Sequence, residues 1–513
     1  MSAFVSIVLA TRYPDLAVIK SLLVVTPDFF EEFNGNHSGG FDFAEVTSGL
    51  ELPKSGTEVG HMISRGFSSI SSLFPSSLRF RPHTFKRIIM RPLTADALNP
   101  AVLNVQYAVR GELAIRAEEL RAQLKEDNHG LPLTEQVAAL MEWPALAEIA
   151  PDAFPKDVIA RAKELQEEIG SIGAYSHSQG VPFIRQNVAK FIEARRVPLR
   201  PQPHFPHRRC FSRSLAPDLH ANLRTQQLRC PDPHTQYPLY TATLAQFSGV
   251  PLPYHLDEAA DWATSVHDIE AAIEKAHREG VTAKSLVIIN PGNPTGALLD
   301  ENTQIELVKL CEKYSLVLLA DEVYQINLHK PTTHPFTSFK KIVSQIQSPV
   351  PLVSFHSISK GVSGECGRRG GYFECTNFPV DILALIYKMV SVGLCPPLSG
   401  QIGVDSMVRP PQPGDDSYEL WKKETDEIHA ALAHRTGTMS QRLNALPGVS
   451  CVDSPGALYL YPQIRLSDKA IEAAREARKE PDAFYALQLL HDTGSASSPG
   501  AGLVRRRASG ITG

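Results

Sequence analysis

The 513-residue chain has no apolar run near the 18 or so residues that a membrane helix needs; its longest, such as Ser285 to Asn290 and Leu316 to Ala320, are strand-sized. A membrane span is therefore not expected. Seven cysteines, an odd number with no C-x-x-C pair, leave no disulfide framework and no Cys-rich zinc site, and point to a reducing compartment. With a formal net charge of -4 there is no general basic footprint, so nucleic acid is not the expected partner. What remains, 43% apolar and 21% charged, is a globular chain long enough for two to three domains with real cores.

Two local absences divide the chain. From Val59 to Pro92 there is no Asp or Glu, while Arg65, Arg79, Arg81, Lys86, Arg87 and Arg91 stand among Ser and bulky apolar residues. That is the composition of a mitochondrial presequence, although about 60 residues precede it, so Met62 would have to serve as a start. The expected location is the mitochondrial matrix or the cytoplasm; a surface extension is the alternative reading of residues 1–95. Glycine is missing from Val181 to Ser248, and Arg195 to Thr235 holds eight arginines, seven prolines and two acids in 41 residues. Proline at that density predicts an irregular loop.

Elsewhere the periodicity is regular. Val105 to Lys125, Lys156 to Ile169 and Val181 to Ile192 read as amphipathic helices, the last two separated by GSIGAYSHSQG (170–180). After Gln236, strand-like runs Leu286–Ile289, Val317–Ala320 and Leu352–Phe355 alternate with helices such as Glu301–Tyr314. That alternation predicts an α/β fold with parallel strands covered by helices. In such sheets ligands bind beyond the carboxyl ends of the strands. The three strands there run into NPGNPTG (290–296), ADEVYQ (320–325) and HSISKGVSGECGRRGGY (356–372).

In this order, and with GAYSHSQG and QYPLYTATLA, these segments resemble the fold-type I aminotransferases that use pyridoxal 5'-phosphate, and most of all the alanine aminotransferases. The resemblance implies a large domain with a mostly parallel sheet covered by helices and a smaller α/β C-terminal domain. The boundaries expected are 1–95 leader, 96–195 N-terminal helical part, 196–235 atypical Arg/Pro-rich insertion, 236–400 large cofactor-binding domain, 401–494 small domain and 495–513 tail. It further implies L-alanine:2-oxoglutarate transamination, with small amino acid and 2-oxo acid substrates. By the same resemblance, Lys360 forms the Schiff base and moves the substrate proton, and Asp321 pairs with the pyridine nitrogen. Tyr324 and Asn293 reach the phenolic oxygen, Ser357 and Arg369 the phosphate, and Tyr237 stacks on the ring. Tyr175 reaches the phosphate of a partner subunit, which implies a homodimer.

The chain departs from the family at three places. No G-A-S-like phosphate turn lies between Glu193 and Tyr237, and no Ile-Gly-Asn-Pro-Gln segment follows the first amphipathic helix. After HDTG (491–494) there is no strand with a carboxylate-clamping arginine; Arg505 to Arg507 do not fit that pattern. A catalytically impaired relative or a mis-spliced product is therefore an alternative, and an ACC synthase, which shares the Lys, Asp and Tyr pattern, is a third reading. No metal site is expected: His204, His207 and Cys210 lack a convincing second pair. Cys311 and Cys366 read as packing residues.

Overall fold

The computed structural model describes residues 133–194, 210–212, 229–233, 237, 239–247, 249–362, 364–495 and 497, all in one compact unit, 93–513. The extension 1–95, the helix Val105 to Lys125, His204, His207 and Arg505 to Arg507 lie outside the described residues.

Three N-terminal helices come first: α1 (Leu133–Glu142), α2 (Lys156–Ile169) and α3 (Pro182–Ala194). α2 has the bounds its sequence period predicts. α3 begins at Pro182, where a proline costs no intrahelical hydrogen bond. Val137, Leu140, Val158, Leu165, Ile184 and Val188 form one buried cluster, shared with Ile358, Tyr372 and Ile402 from later in the chain.

Next come β1 (Cys210–Ser212), β2 (Arg229–Pro233), α4 (Leu239–Gln246), β3 (Val250–Tyr254) and α5 (Val266–Arg278). The core follows: β4 (Ser285–Ile289), α6 (Glu301–Tyr314), β5 (Val317–Asp321), α7 (Phe339–Gln345), β6 (Leu352–Ser357) and β7 (Gly371–Thr376). The main sheet has five strands in the order β1, β7, β6, β5, β4. β4, β5 and β6 are parallel, as their spacing predicts, whereas β7 is antiparallel to β6 and β1 antiparallel to β7. Each parallel strand is apolar on both faces because both faces are covered. Leu286, Ile288, Leu318, Ala320 and Leu352 face α5, α6 and α7; Val287, Leu319, Val353 and Phe355 face Tyr240, Leu244, Leu383 and Ile386. Side-chain oxygens of Ser265, Asp300 and Ser338 cap α5, α6 and α7 by accepting from backbone amides of the first turn.

The expectation of one irregular loop over 195–235 needs correcting, since β1 and β2 lie inside it. β1 closes one edge of the main sheet, and β2 pairs in parallel with β3 as a separate two-stranded sheet. Pro231 and Pro233 bring no backbone N–H to the ladder, which a short strand of a two-stranded sheet tolerates.

The C-terminal part holds α8 (Val380–Val392), α9 (Leu398–Val408), the 27-residue α10 (Tyr418–Asn444), β8 (Val449–Ser450), β9 (Gln463–Ile464), α11 (Asp468–Glu476) and α12 (Pro481–Thr493). α9 lies directly on the turn before β7. A Cβ on Gly370 would stand 2.2 Å from the Gly400 carbonyl oxygen, and one on Gly400 would stand 2.7 Å from the Arg368 oxygen. Neither position has room for a side chain. No helix among the described residues is long and apolar enough to cross a membrane.

Candidate active site

The carboxyl ends of β4, β5 and β6 deliver four of the expected residues to one cleft. Asp321 is the last residue of β5, and Tyr324 lies on the turn after it. Asn293 comes from the turn after β4 and Lys360 from the turn after β6. The Asn293 amide donates to the Tyr324 hydroxyl oxygen at 3.4 Å. Lys360 Nζ lies 5.6 Å from the centre of the Tyr324 ring.

Asp321 Oδ2 accepts from the Tyr240 hydroxyl at 2.7 Å, and Oδ1 from the Val323 amide at 3.3 Å. Desolvation raises its pKa above the ordinary carboxylate range, and these two hydrogen bonds only partly oppose the shift. Its surface is not fully covered, so depth beneath the cleft drives the shift more than complete enclosure does. Among the described residues Asp321 forms no ion pair.

Tyr237 belongs to the same field. Its own burial raises its pKa first and the Asp321 charge second, while Arg369 acts in the opposite direction. Tyr324, nearly enclosed, is raised by burial and then by the neighbouring Tyr459. Arg369 adopts the left-handed conformation (φ 58°) at the end of the 366–368 turn, and its guanidinium donates to the Cys366 carbonyl at 3.1 Å. The Ser357 hydroxyl accepts from the Ser359 amide at 3.3 Å, which fixes the turn into Lys360.

Tyr175 stands apart from these residues. It is 87% exposed and makes no hydrogen bond or ring contact among the described residues. Cys311 is buried, as a packing residue should be, and burial pushes its thiol pKa up. The packing reading fails for Cys366, which is exposed in the turn before β7. Two tyrosines were not found from sequence. Tyr240 lies one helical turn past Tyr237 in QYPLYTATLA, so spacing could have flagged it. Tyr459, whose hydroxyl meets that of Tyr324 at 2.6 Å, lies 99 residues from Lys360 with no local signal.

Over residues 145–489 the chain matches the family described as aminotransferase class I and II. It is 40% identical over 444 residues to alanine aminotransferase 2, mitochondrial, of Arabidopsis thaliana, covering 80% of this chain and 81% of the relative. It is 42% identical over 438 residues to glutamate–glyoxylate aminotransferase 1 of the same plant, covering 81% of this chain and 90% of the relative. The solved alanine aminotransferase from Pyrococcus furiosus shares the fold with a TM-score of 0.60 at 22% identity, over 80% of this chain and 92% of that one. With a family match across most of its length and full-length relatives at this identity, the chain belongs to the class I and II aminotransferases and has their fold-type I architecture.

Proposed function

We propose that the protein is a pyridoxal 5'-phosphate-dependent alanine aminotransferase that exchanges the amino group between L-alanine and 2-oxoglutarate. The observation that carries the cofactor reading is the buried Asp321 carboxylate, which has two hydrogen-bond donors and, among the described residues, no cation. A carboxylate so placed fits a protonated ring nitrogen. Lys360, Tyr324 and Asn293 come from the same ends of the neighbouring parallel strands.

Pyridoxal phosphate, when bound, supplies an aldehyde that joins to an amine and a ring that accepts electrons from the substrate α-carbon. The protein's part is attachment, orientation and proton movement. Lys360 would hold the cofactor through its amine and, when free, would serve as the base that takes the substrate α-proton and returns it. Asp321 keeps the ring nitrogen protonated. Tyr324 and Asn293 would donate to the phenolic oxygen, Tyr237 would cover a ring face, and Arg369 with Ser357 would bind the phosphate, the arginine by a charge-assisted contact. Tyr175, exposed on the loop between α2 and α3, would reach the phosphate of a second copy in a homodimer.

The expected domain division, 236–400 with the sheet and 401–494 beside it, stays as part of this proposal. So does the compartment, mitochondrial matrix or cytoplasm, which import of a fluorescent fusion of residues 62–95 decides. The impaired-relative reading rests on the three departures from the family pattern and is not favoured, because the relatives include alanine aminotransferases and the Asn293, Tyr324 and Lys360 side chains stand together. An ACC synthase is disfavoured by the wording of SFHSISKG and GECGRRGGY. The deciding experiment is the visible spectrum of the purified protein with pyridoxal phosphate, before and after L-alanine. A bound-cofactor band that bleaches with L-alanine and returns with 2-oxoglutarate supports the reading; no band, or one indifferent to both, refutes it.

A further inference from the structure

We propose that Tyr459 is a positioning residue that holds the Lys360 amine and the Tyr324 hydroxyl in register, an inference that rests on Lys360 being the attachment lysine. Lys360 Nζ donates to the Tyr459 hydroxyl oxygen at 3.3 Å, and the Tyr459 and Tyr324 hydroxyls lie 2.6 Å apart. Either hydroxyl can donate in the second bond. A phenol has one proton to donate and two lone pairs to accept with. Lys360 takes one lone pair of Tyr459, and Asn293 takes one of Tyr324. If Tyr459 donates its proton to Tyr324, both Tyr324 lone pairs are filled and the Tyr324 proton is directed into the cleft. In that arrangement Tyr459 sets both where the lysine nitrogen rests and which way Tyr324 donates.

The backbone around Tyr459 is held without help from its hydroxyl. The Gly456 amide donates to the Gly296 oxygen at 3.2 Å, the Ala457 amide to the Asn327 oxygen at 2.9 Å, and the His329 amide to the Pro455 oxygen at 2.8 Å. Ala457 takes a left-handed conformation (φ 62°) and is fully buried, which turns the chain toward the cleft. The ring itself packs edge-on against Tyr324, with centroids 5.6 Å apart. Removing only the oxygen therefore leaves the ring and its segment in place, and the loss falls on Lys360 and Tyr324.

The test is Y459F, with thermal melting as the control for folding. In the cofactor-free protein, trinitrobenzenesulfonate labelling of Lys360, followed by peptide mass spectrometry, is expected to accelerate about fivefold, the factor an ordinary hydrogen bond supports. In the loaded enzyme kcat is expected to fall about tenfold with KM moving less than twofold, and the isotope effect from α-deuterated L-alanine is expected to rise, because only the proton-transfer step needs the lysine in register. Y324F combined with Y459F is expected to be less than additive in labelling. Equal labelling rates with an unchanged isotope effect overturn the proposal. A separate arm treats the wild-type protein with pyridoxal phosphate and borohydride: modification at Lys360 confirms the underlying reading, whereas modification only elsewhere overturns both.

Discussion

Asn327 offers a test of how the turn carrying Lys360 is built. Its side chain is almost wholly buried and pairs with a single residue twice: Oδ1 accepts from the Gly361 amide at 2.9 Å, and Nδ2 donates to the Gly361 carbonyl at 3.1 Å. N327A removes both partners and leaves two backbone groups without a replacement. Each orphaned group costs about 1 to 3 kcal/mol, and because Gly361 is only half-buried, water recovers part, so the expected loss is about 2 to 3 kcal/mol. N327D keeps the acceptor but sets a carboxylate oxygen against the Gly361 carbonyl oxygen. The new carboxyl is protonated more readily in the folded protein than in the unfolded chain, so its folded pKa is raised. Its contribution is whole below the unfolded carboxylate range near pH 4 and is lost as pH rises through the folded pKa. Urea unfolding of the cofactor-free protein from pH 4.5 to 8 should show N327A displaced from wild type by a constant amount and N327D diverging as pH rises. A loss under about 0.5 kcal/mol for N327A, or an N327D curve parallel to N327A across that range, refutes the reasoning.

Two further outcomes are expected. D321N should melt at a higher temperature than wild type in the cofactor-free state at pH 7, because the raised folded pKa of Asp321 means its ionised form is a burden above that pKa; the advantage should vanish as pH falls toward 4. With cofactor, the same variant should lose about 10²- to 10³-fold in turnover, as removal of a fixed transition-state charge does, and a variant active within twofold would remove Asp321 from the mechanism. Lys340 of α7 and Glu374 of β7 form an ion pair whose two side chains are each 9% exposed. K340M should destabilise by about 3 to 5 kcal/mol in chemical denaturation by stranding the carboxylate, and K340M with E374L should recover most of that; failure of the double variant to recover would refute the stranded-charge account.

Much of this was legible in the sequence for identifiable reasons. β4, β5 and β6 are continuous apolar runs because helices cover both faces, and the turns after them carry polar residues because ligands bind at that end. Helices α2 and α6 carry their period in the chain itself. The antiparallel β7 was hidden, since no alternation in Gly371–Thr376 announces its pairing with β6. β2 was hidden by its own prolines, Pro231 and Pro233, and the three-residue β1 by the proline-rich sequence around it. Cys366 was misjudged because exposure at a turn depends on what lies outside it. Tyr459 depends on three backbone hydrogen bonds between distant segments, a relation that no window of sequence contains.

Those three bonds also order events in time. Asn293, Tyr324 and Lys360 are translated well before Tyr459, and 99 residues separate Lys360 from its tyrosine partner. At ordinary synthesis rates that gap is about 5 to 20 s. Throughout it, a nascent chain can complete the parallel core of the sheet while the lysine amine lacks its partner and the 290–296 turn lacks the segment that docks on it. A ribosome stalled within that window would present a folded sheet beneath an unfinished catalytic floor.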